Sequence, residues 1–88
     1  MNNTIVVTGG AGFIGSNFVN AWVKQNLGKV VNVDKLTYAG NLENLSEIID
    51  NENHVFVQAD IGDNTVIADL LKKHQPKAVL NFAAESHV

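Results

Sequence analysis

The sequence predicts an α/β fold in which a parallel sheet carries helices on both of its faces. Short runs of β-branched residues alternate with stretches in which apolar residues recur at helical spacing, and short connections join them. A glycine-rich turn directly follows the first of these runs. Strands connected by right-handed crossovers in this way take the spatial order 3-2-1-4. We therefore expect a doubly wound parallel sheet with the fourth strand at its edge.

Short apolar runs bounded by turn residues predict the strands, because β-branched residues favour the pleated, buried positions of a sheet. The predicted strands cover residues 4–7, 30–33, 55–57 and 78–82. In a parallel sheet the carboxyl ends of the strands lie along one rim. The residues that follow the strands are therefore expected to lie close enough together for one extended ligand to touch them all.

Helices are predicted where apolar residues recur at helical spacing. The first is expected over about residues 13–25 and a short second one over about 42–49, where Asn41 would be its cap. A third would be capped by Asp63 or Asn64 and stop before Pro76. The apolar stripe of the first helix is interpreted as packing on the sheet, not as a platform for stacked bases. That stripe consists of Phe13, Ile14, Phe18, Ala21 and Trp22.

Composition excludes several classes of protein. The net charge is −3 with six Lys and Arg residues in no cluster, so no electrostatic surface for nucleic acid or an anionic membrane is expected. The absence of cysteine excludes disulfides and thiolate metal sites. The first basic residue is Lys24 and the first apolar run is only as long as a strand, which predicts neither a signal peptide nor a membrane span. We expect a cytoplasmic protein.

Residues 8–15, with the sequence TGGAGFIG, join the first strand to the first helix. Two glycine spacings are visible, Gly9-x-x-Gly12-x-x-Gly15 and Gly10-x-Gly12-x-x-Gly15. Glycine lets the backbone turn sharply and approach a ligand closely, and the helix that follows directs its unpaired N–H groups at that ligand. The turn is therefore predicted to hold a pyrophosphate.

An acidic residue is predicted at the position where the ribose of a bound dinucleotide would lie. Asp34 ends the second predicted strand, 19 residues beyond Gly15. A carboxylate there accepts hydrogen bonds from ribose hydroxyls and repels a 2′-phosphate, which favours NAD over NADP. Strand, turn, helix and acid together predict a Rossmann-like NAD-binding unit. The alternative interpretation is a tight turn with no ligand, beside an acid that merely ends a strand.

Four segments carry a resemblance to a known family: TGGAGFIGS, DKLTYAGN after the second strand, ADI after the third, and NFAAESHV after the fourth. Together they resemble the amino-terminal part of the dTDP-glucose 4,6-dehydratase family, within the extended short-chain dehydrogenase/reductases. TGGAGFIG is shared with nucleotide-sugar epimerases, whereas DKLTYAGN and AAESHV are more selective. The 88 residues are accordingly expected to be the amino-terminal part of an NAD-binding domain, without the rest of that domain or the substrate domain.

The resemblance implies roles for individual residues. Besides Gly9, Gly12 and Gly15, it places Phe13 and Ile14 at the pyrophosphate, and it assigns the adenosine ribose to Asp34, Lys35, Leu36 and Thr37. It assigns adenine to Asp60 and Ile61, and the nicotinamide half to Phe82, Ala83, Ala84, Glu85 and Ser86, with Ser86 also contacting substrate. From the residues alone, Lys35 and Thr37 fit solvated loop positions equally well, and Asp60 could simply end a strand.

No catalytic residue is expected in this stretch. The family uses a Tyr-x-x-x-Lys pair for proton transfer, but the only tyrosine here, Tyr38, is followed four places on by Leu42. His87 is interpreted as orienting a loop or contacting phosphate or sugar, and with Glu85 it does not make a metal site. His54 and His74 fall on segments predicted to lie at the surface.

The activity that the resemblance implies is that of an NAD-dependent lyase. The sugar of dTDP-glucose is oxidised at C4 by hydride transfer to NAD, water is eliminated across C5 and C6, and the hydride returns to C6. The family forms homodimers. The 88 residues alone are expected to be inactive. Two alternatives stay open: a UDP-sugar 4-epimerase of the same family, and a non-catalytic NAD-binding module.

Overall fold

The computed structural model of the chain describes residues 3–36, 42–60 and 62–82. Within these ranges strands alternate with helices, as the apolar pattern predicts. The elements are β1 (Ile5–Thr8), α1 (Phe13–Lys24), β2 (Val30–Asp34), a short 3₁₀ helix (Leu42–Leu45), β3 (His54–Gln58), α2 (Asn64–His74) and β4 (Ala78–Asn81). In the described part of the chain, neither α-helix is both long and apolar enough to cross a membrane.

The four strands form one parallel sheet in the order β3-β2-β1-β4. Ile5 of β1 lies opposite Val30 of β2 on one side and Ala78 of β4 on the other. At the carboxyl end of β1, the Thr8 hydroxyl donates a hydrogen bond of 2.8 Å to Asn81 Oδ1 and so ties β4 to it. The predicted fold class and strand order are confirmed. All carboxyl ends lie on one rim of the sheet because every pairing is parallel.

The two faces of the sheet carry different helices. Consecutive residues of a strand point to opposite faces, so Val7 packs under α1 while its neighbour Val6 packs under α2. We call these the α1 face and the α2 face. The buried core of the α1 face is the larger and consists of Ile5, Val7, Ala11, Val19, Val23, Val30, Leu45 and Ile48. The buried core of the α2 face consists of Val6, Val31 and Val33.

Helix α1 is rotated relative to the stripe predicted for it. Phe18 and Trp22 do pack against the α1-face core, but Phe13 and Ile14 are 76% and 55% exposed and Ala21 is also exposed, so the assignment of these three to packing positions is wrong. The fully buried positions instead recur every four residues, at Gly15, Val19 and Val23, with Ser16 beside them. Gly15 lies on this buried side, where only a residue without a side chain permits the close approach of α1 to the turn before it.

The ends of the elements depart slightly from the predicted ones. The segment predicted as a helix over 42–49 is helical only at Leu42–Leu45, as a 3₁₀ helix, and continues as turns to Asp50. Hydrogen bonds from Ser46 N to Glu43 O and from Ile48 N to Leu45 O are of the tighter i to i+3 kind. The predicted cap, Asn41, lies outside the described residues.

Helix α2 begins and ends where its end signals predict. The Asp63 carboxylate accepts hydrogen bonds from Thr65 N and Val66 N, as an N-cap does. The helix ends at His74, and Gln75 takes a left-handed conformation with a φ of 45° immediately before Pro76. Proline cannot continue the helix, because it lacks the N–H group that the next turn requires.

His54 is buried, and its predicted place at the surface is wrong. Pairing of β3 with β2 extends one residue earlier than the apolar run predicts, which places His54 opposite Val30. The side chain then faces the α1 side with 7% exposure, and its Nε2 lies 3.4 Å from Asn32 Nδ2. Burial lowers the pKa of His54. Strand pairing, which is not visible in the local sequence, therefore decided its position.

Candidate functional site

The turn between β1 and α1 is the centre of the candidate site. Gly9 continues the sheet by donating from its N–H to Val33 O at 2.8 Å, and then leaves it with a φ of 76°. This left-handed conformation favours glycine, since it costs other residues steric strain. Gly12 N–H returns a longer bond of 3.3 Å to Gly9 O, which closes the turn.

The glycines at 10 and 15 are required by close contacts. A Cβ on Gly15 would collide with the carbonyl oxygen of Gly9, and a Cβ on Gly10 would collide with the side-chain amide of Asn32. The turn therefore rests directly on β2 below and against α1 beside it. Gly9 is required by its conformation, and Gly10 and Gly15 are required by their surroundings.

The N-terminus of α1 opens beside this turn. Its N-cap is Gly12, which has no side chain to accept a hydrogen bond, and its first turn contains no acid. Phe13 and Ile14 at that end are 76% and 55% exposed. The first N–H groups of a helix have no partner within it, and the helix dipole adds positive potential there. An anion such as a phosphate is the chemical group that this end can bind.

Asp34 lies at the junction of β2 and the turn. Its Oδ2 accepts a hydrogen bond of 2.8 Å from Ala11 N, and its Oδ1 accepts one of 2.8 Å from Leu36 N. The residue is half-buried. A carboxylate oxygen can accept more than one hydrogen bond, so this orientation leaves acceptor capacity for further donors such as hydroxyls. The acid predicted to meet a ribose is thus held in place by two backbone amides beside the predicted pyrophosphate site.

Lys35 and Asp60 form an ion pair between the loops that follow β2 and β3. The Lys35 Nζ lies 3.3 Å from Asp60 Oδ2, with 61% and 54% of the two side chains exposed. The backbone N–H of Gly62 donates to Asp60 Oδ1 at 2.8 Å. This hydrogen bond first, and then Lys35, lower the pKa of Asp60. The sequence analysis did not predict this ion pair. Because both side chains are more than half exposed, the pair contributes little to the free energy of unfolding.

Two predicted site residues lie against the core. Leu36, with a φ of 59°, and Phe82 are half-buried and pack against the α1-face core, where Phe82 lies 5.6 Å from Phe18 between ring centroids. The N–H of Phe82 donates to Thr8 O at 2.7 Å, which places Phe82 beside the start of the glycine turn. Both residues are therefore at the rim where the cofactor segments are predicted.

The remaining candidates fall outside the described residues. Those present at the rim are Gly9, Gly12, Phe13, Ile14, Gly15, Asp34, Lys35, Leu36, Asp60 and Phe82. Those outside the described residues are Thr37, Ile61, Ala83, Ala84, Glu85 and Ser86, together with His87 and Tyr38. The ligand contacts assigned to both groups stay predictions.

Sequence reasoning missed three asparagines around the turn. Asn32 lies beneath Gly10, Asn44 donates from Nδ2 to Ala11 O at 2.9 Å, and Asn20 donates to Asn44 O at 2.9 Å. Asn32 carried a detectable signal, because it is a polar residue inside an otherwise apolar strand. The other two lie on segments with no such contrast, and only the folded chain brings them to the turn.

Comparison with known proteins decides the family. The family described as GDP-mannose 4,6 dehydratase matches residues 6–88. The chain belongs to this family. A dTDP-glucose 4,6-dehydratase of Xanthomonas campestris pv. campestris (strain B100) is 59% identical over 85 residues, which are 97% of this chain and 24% of that protein. The chain thus spans about a quarter of the length of this curated relative.

Solved structures of similar enzymes share the fold. The crystal structure of dTDP-glucose 4,6-dehydratase from Bacillus anthracis str. Ames in complex with NAD matches with a TM-score of 0.87 and 42% identity, over 91% of this chain and 26% of that chain. A UDP-glucose-4-epimerase from Stenotrophomonas maltophila with bound NAD and formylated UDP-arabinopyranose has a TM-score of 0.76 and 41% identity, over 94% and 24%. The Rossmann-like architecture is therefore common to dehydratases and epimerases of this group.

Proposed function

We propose that this chain is the amino-terminal, NAD-binding part of a nucleotide-sugar dehydratase that converts dTDP-glucose to dTDP-4-keto-6-deoxyglucose. The observation that carries the proposal is the open N-terminus of α1 at a glycine turn, with the half-buried Asp34 carboxylate hydrogen-bonded to that turn. The similar dehydratase from Bacillus anthracis was crystallised with NAD. The Xanthomonas campestris protein that is 59% identical to this chain carries the same enzyme name.

The cofactor is proposed to lie along the carboxyl rim. The diphosphate meets the N–H groups of Phe13 and Ile14, and the adenosine ribose meets Asp34, whose charge disfavours the 2′-phosphate of NADP. Lys35, Leu36 and Thr37 surround that ribose, and Asp60 with Ile61 receives adenine. The nicotinamide half follows the segment Phe82, Ala83, Ala84, Glu85 and Ser86, where Ser86 also contacts the sugar nucleotide.

The chemistry that NAD supplies when bound is reversible acceptance of a hydride from the sugar. The role of these residues is to bind and orient. Glycine at positions 9, 10 and 15 gives the turn its shape beside the N-terminus of α1, and fixed backbone amides avoid the entropy loss that long side chains would incur on binding. No proton transfer is assigned to the described residues, which hold the cofactor while groups elsewhere in the complete protein act on the sugar.

Mass spectrometry of the full-length protein incubated with NAD and dTDP-glucose tests the reaction. We expect a product lighter than the substrate by one water, as a lyase requires. An unchanged mass with the sugar configuration inverted at C4 would instead establish a 4-epimerase. That second candidate is favoured by one observation, the 41% identity to an NAD-containing UDP-glucose-4-epimerase over 94% of this chain.

Calorimetry separates the enzyme from a non-catalytic NAD-binding module. Wild-type full-length protein is expected to bind NAD more tightly than NADP and to turn over dTDP-glucose. Asp34→Ala should weaken NAD binding and narrow the difference between the two cofactors, because it removes both the ribose acceptor and the charge that repels a 2′-phosphate. Tight NAD binding without turnover of any sugar nucleotide would leave only the binding module.

A cytoplasmic homodimer is proposed for the complete protein from the family resemblance. Sedimentation of the full-length protein, together with cell fractionation, measures both properties. A monomeric or membrane-bound protein would contradict this assignment without affecting NAD binding.

A further inference from the structure

Both polar groups of the Ala11 backbone are held by side chains from distant parts of the chain. The N–H of Ala11 donates to Asp34 Oδ2 at 2.8 Å, and its carbonyl accepts from Asn44 Nδ2 at 2.9 Å. The two partners are 23 and 33 residues away in the sequence. Ala11 itself is fully buried in the α1-face core. One residue in the middle of the turn is therefore clamped from two directions.

Among the described residues, few other hydrogen bonds hold this part of the turn. The bond from Gly12 N to Gly9 O is 3.3 Å, beyond the usual range for a backbone hydrogen bond. Gly10 and Gly12 flank Ala11 and, having no side chains, add no side-chain contacts that would restrict their dihedral angles. Rotation at Ala11 would change the direction of the N–H groups that follow Gly12. The clamp on Ala11 opposes this rotation, in addition to the close packing of Gly10 on Asn32 and of Gly15 on Gly9.

Asn44 is itself well placed to hold the carbonyl. Its own backbone carbonyl accepts from Asn20 Nδ2 at 2.9 Å, and the same Asn20 amide donates to Ser16 O at 2.8 Å in α1. The next residue, Leu45, is fully buried against the α1-face core. The 3₁₀ helix that carries Asn44 is therefore anchored to α1, while the residue Asn44 stays exposed overall. Although Asn44 is exposed, its side-chain amide points inward and donates to the carbonyl of the buried residue Ala11.

We propose that Asn44 is a positioning residue for cofactor binding, which, together with Asp34, holds the Ala11 peptide so that the first N–H groups of α1 face the diphosphate. The inference rests on the proposed NAD-binding function. It adds that Asp34, which is proposed to bind the ribose, and the glycine turn, which is proposed to bind the diphosphate, form one hydrogen-bonded unit. Asn44 completes this unit without contacting the ligand. The energetic cost of orienting the amides is then met on folding and not on binding.

Two ligands separate this role from a general structural one. NAD contains the diphosphate, whereas adenosine occupies the ribose and adenine positions without it. In the full-length protein, Asn44→Ala is expected to weaken NAD binding about tenfold, equivalent to about 1.4 kcal/mol. Adenosine affinity should change less than about twofold. Asn44→Asp preserves the shape but replaces the donor by a carboxylate that repels the Ala11 carbonyl, and it should weaken NAD binding at least as much.

Lys24→Met is the matched control. It removes an exposed ion pair with Glu47 across the same α1 boundary and leaves the bonds at Ala11 intact. It should leave both affinities within about twofold of wild type. If the wild-type protein binds NAD and Asn44→Ala binds it with the same affinity, the positioning role alone is overturned. Equal losses of NAD affinity and adenosine affinity in Asn44→Ala would also overturn that role alone. A wild-type protein that binds neither ligand would overturn this inference together with the proposed function.

Discussion

Helices α1 and α2 both cover the sheet, but they are built in opposite ways. Helix α1 buries four residues, whereas α2 buries none in the described chain. Helix α2 has an acid at its N-cap, with the Asp63 carboxylate accepting from two backbone amides. Helix α1 begins after Gly12, which cannot cap it. Packing therefore stabilises α1 while its N-terminus stays open, and α2 closes its own N-terminus and depends less on the sheet.

The comparison explains why binding is expected at only one of the two helices. A helix N-terminus that already pairs with a carboxylate has less positive potential to offer an anion. The open end of α1 lies next to a backbone turn that is held by Asp34 and Asn44. The residues that hold the α1 face together also set the geometry of the candidate site. Changes on this face should affect stability and NAD binding together, and changes on the α2 face should affect stability alone.

The largest effect is expected from Gly15→Ala. Its Cβ would collide with the carbonyl oxygen of Gly9, so α1 and the turn would have to separate. Overpacking of this kind costs about 1–3 kcal/mol, and we expect roughly tenfold to a hundredfold weaker NAD binding in calorimetry. Ala68→Ser adds one atom at an exposed position of α2 and is the control. Equal NAD affinity in both variants would contradict the close contact between Gly15 and the turn.

A pair of valines compares the two helices by the same chemical change. Val19 on α1 is fully buried, and Val66 on α2 is half-buried. Val19→Ala should lower the free energy of unfolding by about 2 kcal/mol, since it removes buried methyl groups and leaves a cavity. Val66→Ala should lower it by less than about 1 kcal/mol. Urea unfolding of the chain measures both, and similar losses would show that the helices do not differ in burial.

Removing the cap of α2 should affect stability but not cofactor binding. Asp63→Ala loses the bonds to Thr65 N and Val66 N, at a cost of about 1 kcal/mol in the free energy of unfolding. Asp63→Asn retains an acceptor and should restore most of that loss. NAD affinity, measured on the full-length protein, should stay at the wild-type value in both variants. Weaker NAD binding in Asp63→Ala would mean that the two helices are coupled across the sheet.

The smallest effect is expected from replacing one histidine in each region, His54 on the α1 face and His74 at the end of α2, and it concerns the pH dependence of the free energy of unfolding. Burial lowers the pKa of His54 on the α1 face below its ordinary value of 6.5. The unfolded chain therefore binds the proton more readily. The stability that comes from burying the neutral imidazole is complete above about pH 6.5 and is lost as the pH falls below that value and through the lower pKa of the folded state. His54→Leu should flatten the fall in stability between about pH 7.5 and 5.5.

His74, at the end of α2, is the control for that profile. Burial first, and then the charges of Lys73 and Lys29, lower its pKa in the same direction, although the residue is only half-buried. His74→Gln should change the pH dependence of unfolding less than His54→Leu does. A larger change at His74 would show that the charge repulsion at the end of α2 outweighs burial under α1.

Local sequence was most informative where one short segment decides its own structure. The β-branched runs predicted all four strands and their order, because parallel pairing with short crossovers leaves few topologies. Asp63 and Pro76 marked the ends of α2, since capping and the missing proline N–H act within a few residues. The glycine turn was found for the same reason.

Long-range contacts decided the rest. The apolar spacing of α1 suggested that Phe13 packs inward, but in the folded chain α1 buries Gly15, Val19 and Val23 and leaves Phe13 76% exposed. His54 is buried because β3 pairs with β2 one residue earlier than its apolar run indicates. Both outcomes depend on how the helix or the strand packs in the complete sheet.

By itself, then, the sequence determined the α/β class, the position of the glycine turn and the acid at the end of β2. These follow from backbone freedom and apolar periodicity, which are properties of residues close together in the chain. Only the tertiary structure decided that Asp34 and Asn44 both hold Ala11, across 23 and 33 residues of intervening chain. Hydrogen bonds of that span depend on how the α1 face packs as a whole, and packing is a property of the complete fold.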